Sequence, residues 1–277
     1  MKEKSSKLFF LLAIEFNRIM VALLPMILLY TVIQLISCFY KVNEINRSIE
    51  EIANTEMKTI ESVIEARKGT FGMSNVVEGN TVLSIGVIIL LAGLVFYCLA
   101  SWYIEWFSRN KTIYTLLLLP YSRIKIYLIK AISILISFGV IVSVFIINIL
   151  LNFFILKSFL YHGLLQQSAL ISELRGSSII ATIAPTQSIN IIVYVFCLCA
   201  FIGVLFGIPL LERGFGWLGA IIAVLQLIIF LYVFIWLSAT SWLFTSETLA
   251  LQILWCALFI IISVFSARLL LNRKVAA

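Results

Sequence analysis

Residues suited to catalysis are sparse in this sequence. His162 is the only histidine, and all thirteen carboxylate side chains belong to glutamate. A zinc site built on several histidines and a Ser-His-Asp triad are therefore excluded. Glu50 and Glu51 are adjacent carboxylates that could share acid–base work, but they lie in a charged segment rather than an apolar one.

Phosphate chemistry is equally unsupported, because the chain has no GxxxxGK[ST] loop that would cradle the phosphates of a nucleotide. No span carries a carboxylate near its middle, so the usual acidic site of a proton- or sodium-coupled carrier is missing. We expect a chain that is not an enzyme, with no catalytic residue, no metal ligand and no cofactor of its own.

The clearest functional pattern lies in residues 105–125. Thr112 is placed to cap a short helix that Pro120 ends, and the helix has one apolar face. Such a helix can dock in a groove of a partner protein, or it can rest on lipid headgroups. The residues that we assign to this segment are Glu105, Arg109, Lys111, Thr112, Ile113, Tyr114, Leu116, Leu117, Pro120 and Arg123.

The composition shows which elements must position that segment. Hydrophobic residues make up 62% of the chain and charged residues only 12%, whereas a soluble domain carries about 25% charged residues. A membrane span needs roughly 20 apolar residues. Six runs are long enough and should be helices, since none has the alternation of a barrel strand. They cover residues 19–39, 82–104, 131–156, 189–211, 215–237 and 248–267.

The distribution of basic residues predicts the orientation. With a cytoplasmic N-terminus, thirteen of the twenty lysines and arginines fall on the cytoplasmic side, as the positive-inside rule requires. Both termini are then cytoplasmic. The net charge of +7 is explained by this bias, so binding to nucleic acid is not expected.

The chain is expected to be a single transmembrane domain, 1–277, with four distinct connecting segments. Residues 1–18 suit a cytoplasmic interfacial helix or the inner end of a long first span. Residues 40–81 form an outer helical loop, because isoleucines at positions 45, 49, 52, 60 and 64 recur at helical intervals. Residues 157–188 form a second outer loop, and residues 238–247 form a short outer connection or a re-entrant hairpin.

Several uncharged polar residues fall within or near the spans. They are Gln34, Asn148, Asn152, Asn190 and Gln226, for which we favour hydrogen bonding between helices over a transport site. Gly203 and Gly207 form a GxxxG pair in the fourth span, a pattern that permits close contact between helices.

The order of residues after the second span resembles that of one family. The order is Glu105, Lys111-Thr112, four leucines at 116–119, Pro120, Arg123 and Lys130. This resembles the permease subunits of type-2 ATP-binding-cassette (ABC) transporters, which have six spans and, after the second, a cytoplasmic coupling helix. Lys111 stands where the family often has glycine. The outer loop after the first span is also longer than in polysaccharide exporters, which leaves peptide, lipid or antibiotic-like substrates open.

The resemblance implies several partners. A separate ABC ATPase subunit would bind ATP and Mg²⁺, and a second permease subunit, identical or different, would complete the pathway in the lipid of the plasma membrane. The alternative function is a non-transporting membrane sensor or immunity protein that binds an extracellular ligand through its outer loops. The two differ in whether residues 111–119 engage an ATPase.

Overall fold

The computed structural model describes residues 2–67, 81–107, 123–161, 164, 188–239 and 244–273. This part of the chain is helical and contains no strand, so the predicted all-α fold is confirmed. Its helices are α1 Lys2–Thr55, α2 Ile60–Ala66, α3 Thr81–Phe107, α4 Arg123–Phe159, α5 Ser188–Phe215, α6 Trp217–Ala239 and α7 Thr245–Arg273.

Six of these helices are long and apolar enough to cross a membrane, and only the short α2 is not. Between 17% and 39% of each apolar stretch is buried inside the protein, so most large apolar side chains face outward. In water such surfaces would aggregate, but in a bilayer they contact hydrocarbon. The prediction of a six-span membrane protein is confirmed.

Helix α1 is much longer than the predicted first span. Its 54 residues extend about 81 Å at 1.5 Å per residue, against a hydrocarbon thickness of about 30 Å. Residues 2–18 and 41–55 both continue this helix without a break. Neither glycine nor a second proline interrupts the stretch after Pro25.

The chain divides into two compact units, and the first comprises residues 1–21, 93–138 and 187–277. In this unit α5 packs against both α6 and α7. Their shared core contains Ala200, Val204, Phe230, Cys256 and Phe259. Small residues on α5 let the aromatic rings of α6 and α7 reach the helix, and Phe230 and Phe259 lie 5.1 Å apart between ring centroids.

The second unit comprises residues 22–92 and 139–186. Its apolar cluster joins the last turns of α1 to α2 and to the residues that follow α4. The cluster consists of Ile45, Ile49, Ala53, Val63, Leu160 and Leu164. Ile52 and Ile64 pack against it, whereas Ile60 is 40% exposed and does not belong to the predicted apolar face.

A single residue, Gly216, connects α5 and α6. Its φ of +64° lies in the left-handed region, which glycine adopts without steric cost. At Gly219, on the first turn of α6, there is no space for a side chain, because a Cβ atom there would lie 1.9 Å from the Leu211 carbonyl oxygen. The backbones of the two helices therefore approach closely at this turn.

Candidate functional site

Four charged side chains from three helices meet in the first unit, and we call them the ion cluster: Glu15, Arg18, Glu105 and Lys130. The Lys130 ammonium lies 2.7 Å from Glu105 Oε1 and 3.5 Å from Glu15 Oε2. Arg18 Nη1 lies 3.2 Å from the same Glu105 oxygen. Two carboxylates and two cations balance each other, so the cluster carries no net charge.

The centre of the ion cluster is removed from solvent. The Glu105 side chain is 0% exposed and that of Lys130 is 3% exposed, whereas Arg18 is 39% exposed. Isolated buried charges are very costly, so each of these groups requires its partner. The Lys130 ammonium also lies 5.4 Å from the centroid of the Trp102 ring, where the π face attracts a cation.

Aromatic side chains beside the ion cluster contact α5 and α7. Trp102 packs edge-on against Phe206 with 5.6 Å between ring centroids, and Phe206 packs against Tyr127 at 5.4 Å. The Tyr127 and Ser263 hydroxyl oxygens are 2.6 Å apart, within hydrogen-bond distance. The parts of α3 and α4 that carry the ion cluster thus contact α5 and α7.

Close helix contact at Ser263 depends on Gly203. A Cβ atom at Gly203 would lie 2.6 Å from Ser263 Oγ, whereas a Cβ at Gly207 would meet no atom within 4 Å. Only the first glycine of the GxxxG pair therefore lies at a tight helix contact. A further link joins α3 to α5, where the Tyr103 hydroxyl hydrogen-bonds to the Glu212 carboxylate.

The ion cluster lies at the two ends of the predicted coupling segment. Glu105 is two residues before the end of α3, and Lys130 is seven residues after the start of α4. Their contact holds together the two helices that flank residues 108–122. Glu15 and Arg18 then attach the N-terminal part of α1 to the same point.

The predicted site residues are only partly covered by the structure. Glu105 belongs to α3 and joins the ion cluster, and Arg123 is the first residue of α4. The remaining eight lie outside the described residues: Arg109, Lys111, Thr112, Ile113, Tyr114, Leu116, Leu117 and Pro120. The coupling helix itself therefore stays a prediction.

Sequence reasoning did not assign Glu15, Trp102 or Tyr127 to a site. The available signal was the position of rare charges: Glu15 lies four residues before the first apolar run, Glu105 directly follows the second, and Lys130 directly precedes the third. Charges at such places need partners of opposite sign. The aromatic partners gave no comparable signal, because aromatic residues are common in every span.

Three of the five uncharged polar residues differ from the prediction. Gln34 and Asn152 are 0% exposed, yet neither side-chain amide has a hydrogen-bond partner among the described residues. The Asn148 amide group donates to the Val144 carbonyl at 2.9 Å, within its own helix. Within the described part of the chain, these three residues therefore make none of the expected hydrogen bonds between helices.

The adjacent glutamates Glu50 and Glu51 lie on the surface of the second unit. Glu50 accepts a hydrogen bond of 2.8 Å from the Tyr161 hydroxyl, and both Glu50 and Glu51 are exposed. This hydrogen bond raises the pKa of Tyr161, since the phenol proton is held by a carboxylate. His162 lies outside the described residues.

Comparisons of the chain with protein-family models, with curated proteins and with solved structures find no match.

Proposed function

We propose that this chain is the permease subunit of an ABC transporter, and that it exports a peptide, lipid or antibiotic-like substrate by alternating access. A separate ATPase subunit binds ATP and Mg²⁺, and a second permease subunit completes the pathway. The proposal rests on the residue order of the segment after the second span and on the six-helix architecture. The ion cluster is the structural observation that supports it most directly.

The ion cluster supports the proposal because it gives a docked helix a rigid base. Glu105 and Lys130 tie α3 to α4 near the helix ends that flank residues 108–122 in sequence. A force applied to those residues is therefore delivered to both helices together. Glu15 and Arg18 extend the same connection to α1, so three spans respond to one displacement.

In this proposal the ATPase works by changing the populations of two states. Closure of the ATPase around nucleotide moves the docked helix and favours one orientation of α3 and α4 over the other. The substrate pathway then opens to the opposite side of the membrane. The permease contributes no catalytic residue, because ATP hydrolysis takes place on its partner.

The proposed setting is the plasma membrane, with both termini in the cytoplasm. The excess of lysine and arginine on that side supports this orientation. It also places the ion cluster and the coupling segment on the side where an ATPase has access to ATP.

The test is a pull-down of the tagged chain from its native cells in mild detergent. Wild type is compared with Leu116→Asp, Leu117→Asp, which places two charges on the predicted apolar face. A matched control, Leu116→Ile, Leu117→Ile, keeps that face apolar. We expect a P-loop ATPase with wild type and with the control, and its loss from the aspartate variant.

Membrane insertion of each variant is checked by fractionation, so that loss of the ATPase is not confused with loss of the permease. If wild type captures no ATPase under conditions that preserve other membrane complexes, the permease proposal is wrong. The sensor or immunity function then becomes the better candidate, with the exposed charges on the last turns of α1 as its ligand-binding surface.

A further inference from the structure

Three buried amide side chains of the second unit carry polar atoms without a hydrogen-bond partner among the described residues, and we call them the amide cluster: Gln34 on α1, and Asn148 and Asn152 on α4. All three side chains are 0% exposed. Five of their polar atoms have no hydrogen-bond partner among the described residues: Gln34 Oε1 and Nε2, Asn148 Oδ1, and Asn152 Oδ1 and Nδ2. Buried polar groups in proteins are nearly always paired, so five such atoms in one region call for an explanation.

The register of the two helices brings Gln34 and Asn148 to about the same level, and Asn152 lies one turn, about 6 Å, nearer Phe159. The Asn46 side chain donates a 3.0 Å hydrogen bond to the Phe159 carbonyl, and this contact aligns α1 with α4. Because α3 crosses the membrane between them, α1 and α4 run in the same direction. Gln34 lies twelve residues before Asn46, about 18 Å along the helix, and Asn148 lies eleven before Phe159, about 16 Å.

The two asparagines belong to one face of α4. Residues four apart in a helix are neighbours on its surface, so Asn148 and Asn152 stand one turn apart. The side chains Phe145, Ile149 and Leu156 on this buried part of α4 are apolar. The amide cluster is thus a small polar region enclosed by hydrocarbon.

The chemistry of the cluster indicates what it can bind. It offers three carbonyl oxygens as acceptors and two amino groups as donors, with no carboxylate among them. Divalent cations prefer carboxylate ligands, and a fixed charge buried here would have no countercharge. A neutral group that both donates and accepts hydrogen bonds, such as an amide, satisfies both kinds of atom at once.

We propose that Gln34, Asn148 and Asn152 form a binding site for an uncharged amide group of the substrate, which enters when α1 and α4 separate. The proposal rests on the proposed function in calling this ligand the transported substrate. In this arrangement five polar atoms of the amides have no partner among the described residues, which is costly and favours an arrangement in which they are hydrogen-bonded. The bound amide then supplies the hydrogen bonds that the protein leaves unmade.

The test measures thermal unfolding of the purified full chain in lipid nanodiscs, with no ATPase present. Wild type is compared with Asn152→Leu, and Ser143→Ala is the matched control, because Ser143 is an exposed polar residue of the same helix. Each protein is heated alone and with excess N-acetyl-dileucinamide, N-decanoyl-glycinamide or free dileucine. The first two probes carry an uncharged amide of peptide or lipid type, and the third is a zwitterion.

Two results are expected together. Without probe, Asn152→Leu unfolds at a higher temperature than wild type, because an unpaired amide has been removed from an apolar interior. At least one of the two amide probes raises the midpoint of wild type and of Ser143→Ala by a few degrees but leaves Asn152→Leu unchanged, and free dileucine has no effect. The probe that acts distinguishes a peptide-type from a lipid-type substrate.

Other results overturn the site. If Asn152→Leu is less stable than wild type, the amide has a structural role; Gln34→Met provides a second, independent variant for this comparison. If both amide probes fail to act, or shift Asn152→Leu as much as wild type, no amide-binding site exists. These outcomes are separate from failure of the proposed function, which is decided by capture of an ATPase.

Discussion

The ammonium of Lys130 and the carboxylate of Glu105 form a buried ion pair of 2.7 Å between α4 and α3. Both side chains are almost completely removed from solvent, and each lies close to the end of its helix that borders residues 108–122. The pair is therefore both a stability element and the base of the predicted coupling segment.

Removing one partner of this pair should strongly destabilise the protein. Glu105→Gln or Lys130→Met leaves the other charge buried without its main partner, at a cost of about 3–5 kcal/mol. The double variant should be more stable than Lys130→Met alone, because it leaves one buried carboxylate, Glu15, without Lys130 instead of both Glu15 and Glu105. Thermal unfolding in detergent or nanodiscs measures all three.

An exposed ion pair provides the comparison for that experiment. Lys41 and Glu44 are 2.9 Å apart on the surface of α1, and Lys41→Met should cost only about 0.3–0.5 kcal/mol. If Glu105→Gln behaves like Lys41→Met, the ion cluster does not hold the helix ends together.

Gly219 and Gly207 should respond differently to the same substitution. Gly219→Ala places a Cβ atom 1.9 Å from a backbone carbonyl, so the turn between α5 and α6 must shift, at a cost of about 1–3 kcal/mol. Gly207→Ala meets no atom within 4 Å and should be neutral or stabilising, since alanine favours helix. Unfolding midpoints of the two variants test the packing at this turn, and equal midpoints would contradict it.

The predicted orientation can be tested with two introduced cysteines. Lys58→Cys should react with a membrane-impermeant maleimide in intact cells, because position 58 is exposed and predicted to lie outside. Lys111→Cys should react only after the membrane is permeabilised. Wild type sets the background from the five native cysteines. Labelling of Lys111→Cys in intact cells would reverse the orientation and remove the coupling segment from the ATPase.

The contribution of the Tyr161–Glu50 hydrogen bond should depend on pH. The pKa of Tyr161 is raised by its bond to Glu50, so the folded state holds the phenol proton more tightly than the unfolded state. Such a bond stabilises the protein fully at pH values below the ordinary tyrosine pKa of about 10. This stabilisation is lost as the pH rises through the higher pKa that Tyr161 has in the folded state.

The measurement for this bond compares wild type with Tyr161→Phe across pH. The difference in unfolding midpoint should be constant from about pH 7 to 9 and should shrink above about pH 10. Glu50→Gln keeps a hydrogen-bond acceptor but removes its charge. The difference in unfolding midpoint between Glu50→Gln and the double variant Tyr161→Phe, Glu50→Gln should therefore begin to shrink at a lower pH than the difference between wild type and Tyr161→Phe. A difference that persists at high pH would rule out this bond as its cause.

The six spans could be predicted because length and hydropathy alone decide whether a helix crosses a bilayer. The bounds of the first helix could not, because charged residues such as Arg18 and Lys41 flank the predicted apolar run. Charge ends the contact of a helix with hydrocarbon, but it does not end the helix itself, and α1 continues through both positions. Helix termination requires glycine, proline or a capping signal, which these positions lack.

The candidate site was predictable only in part, for a related reason. Glu105 and Lys130 stand out in sequence because charges are rare in this chain, but which face of α3 meets α4 depends on packing between distant segments. The contacts of Lys130 with Trp102 and of Tyr127 with Ser263 therefore appear only in the structure. The unpaired state of Gln34 could not be predicted either, since a buried amide in a span usually finds a partner.

The single-residue connection at Gly216 has a mechanical consequence. The helices α5 and α6 are joined by one glycine, and their backbones are in contact at Leu211 and Gly219. Translation of one helix along its axis therefore requires the other helix to move as well. Relative motion is limited to pivoting about this turn, which can part the two helices at their far ends only.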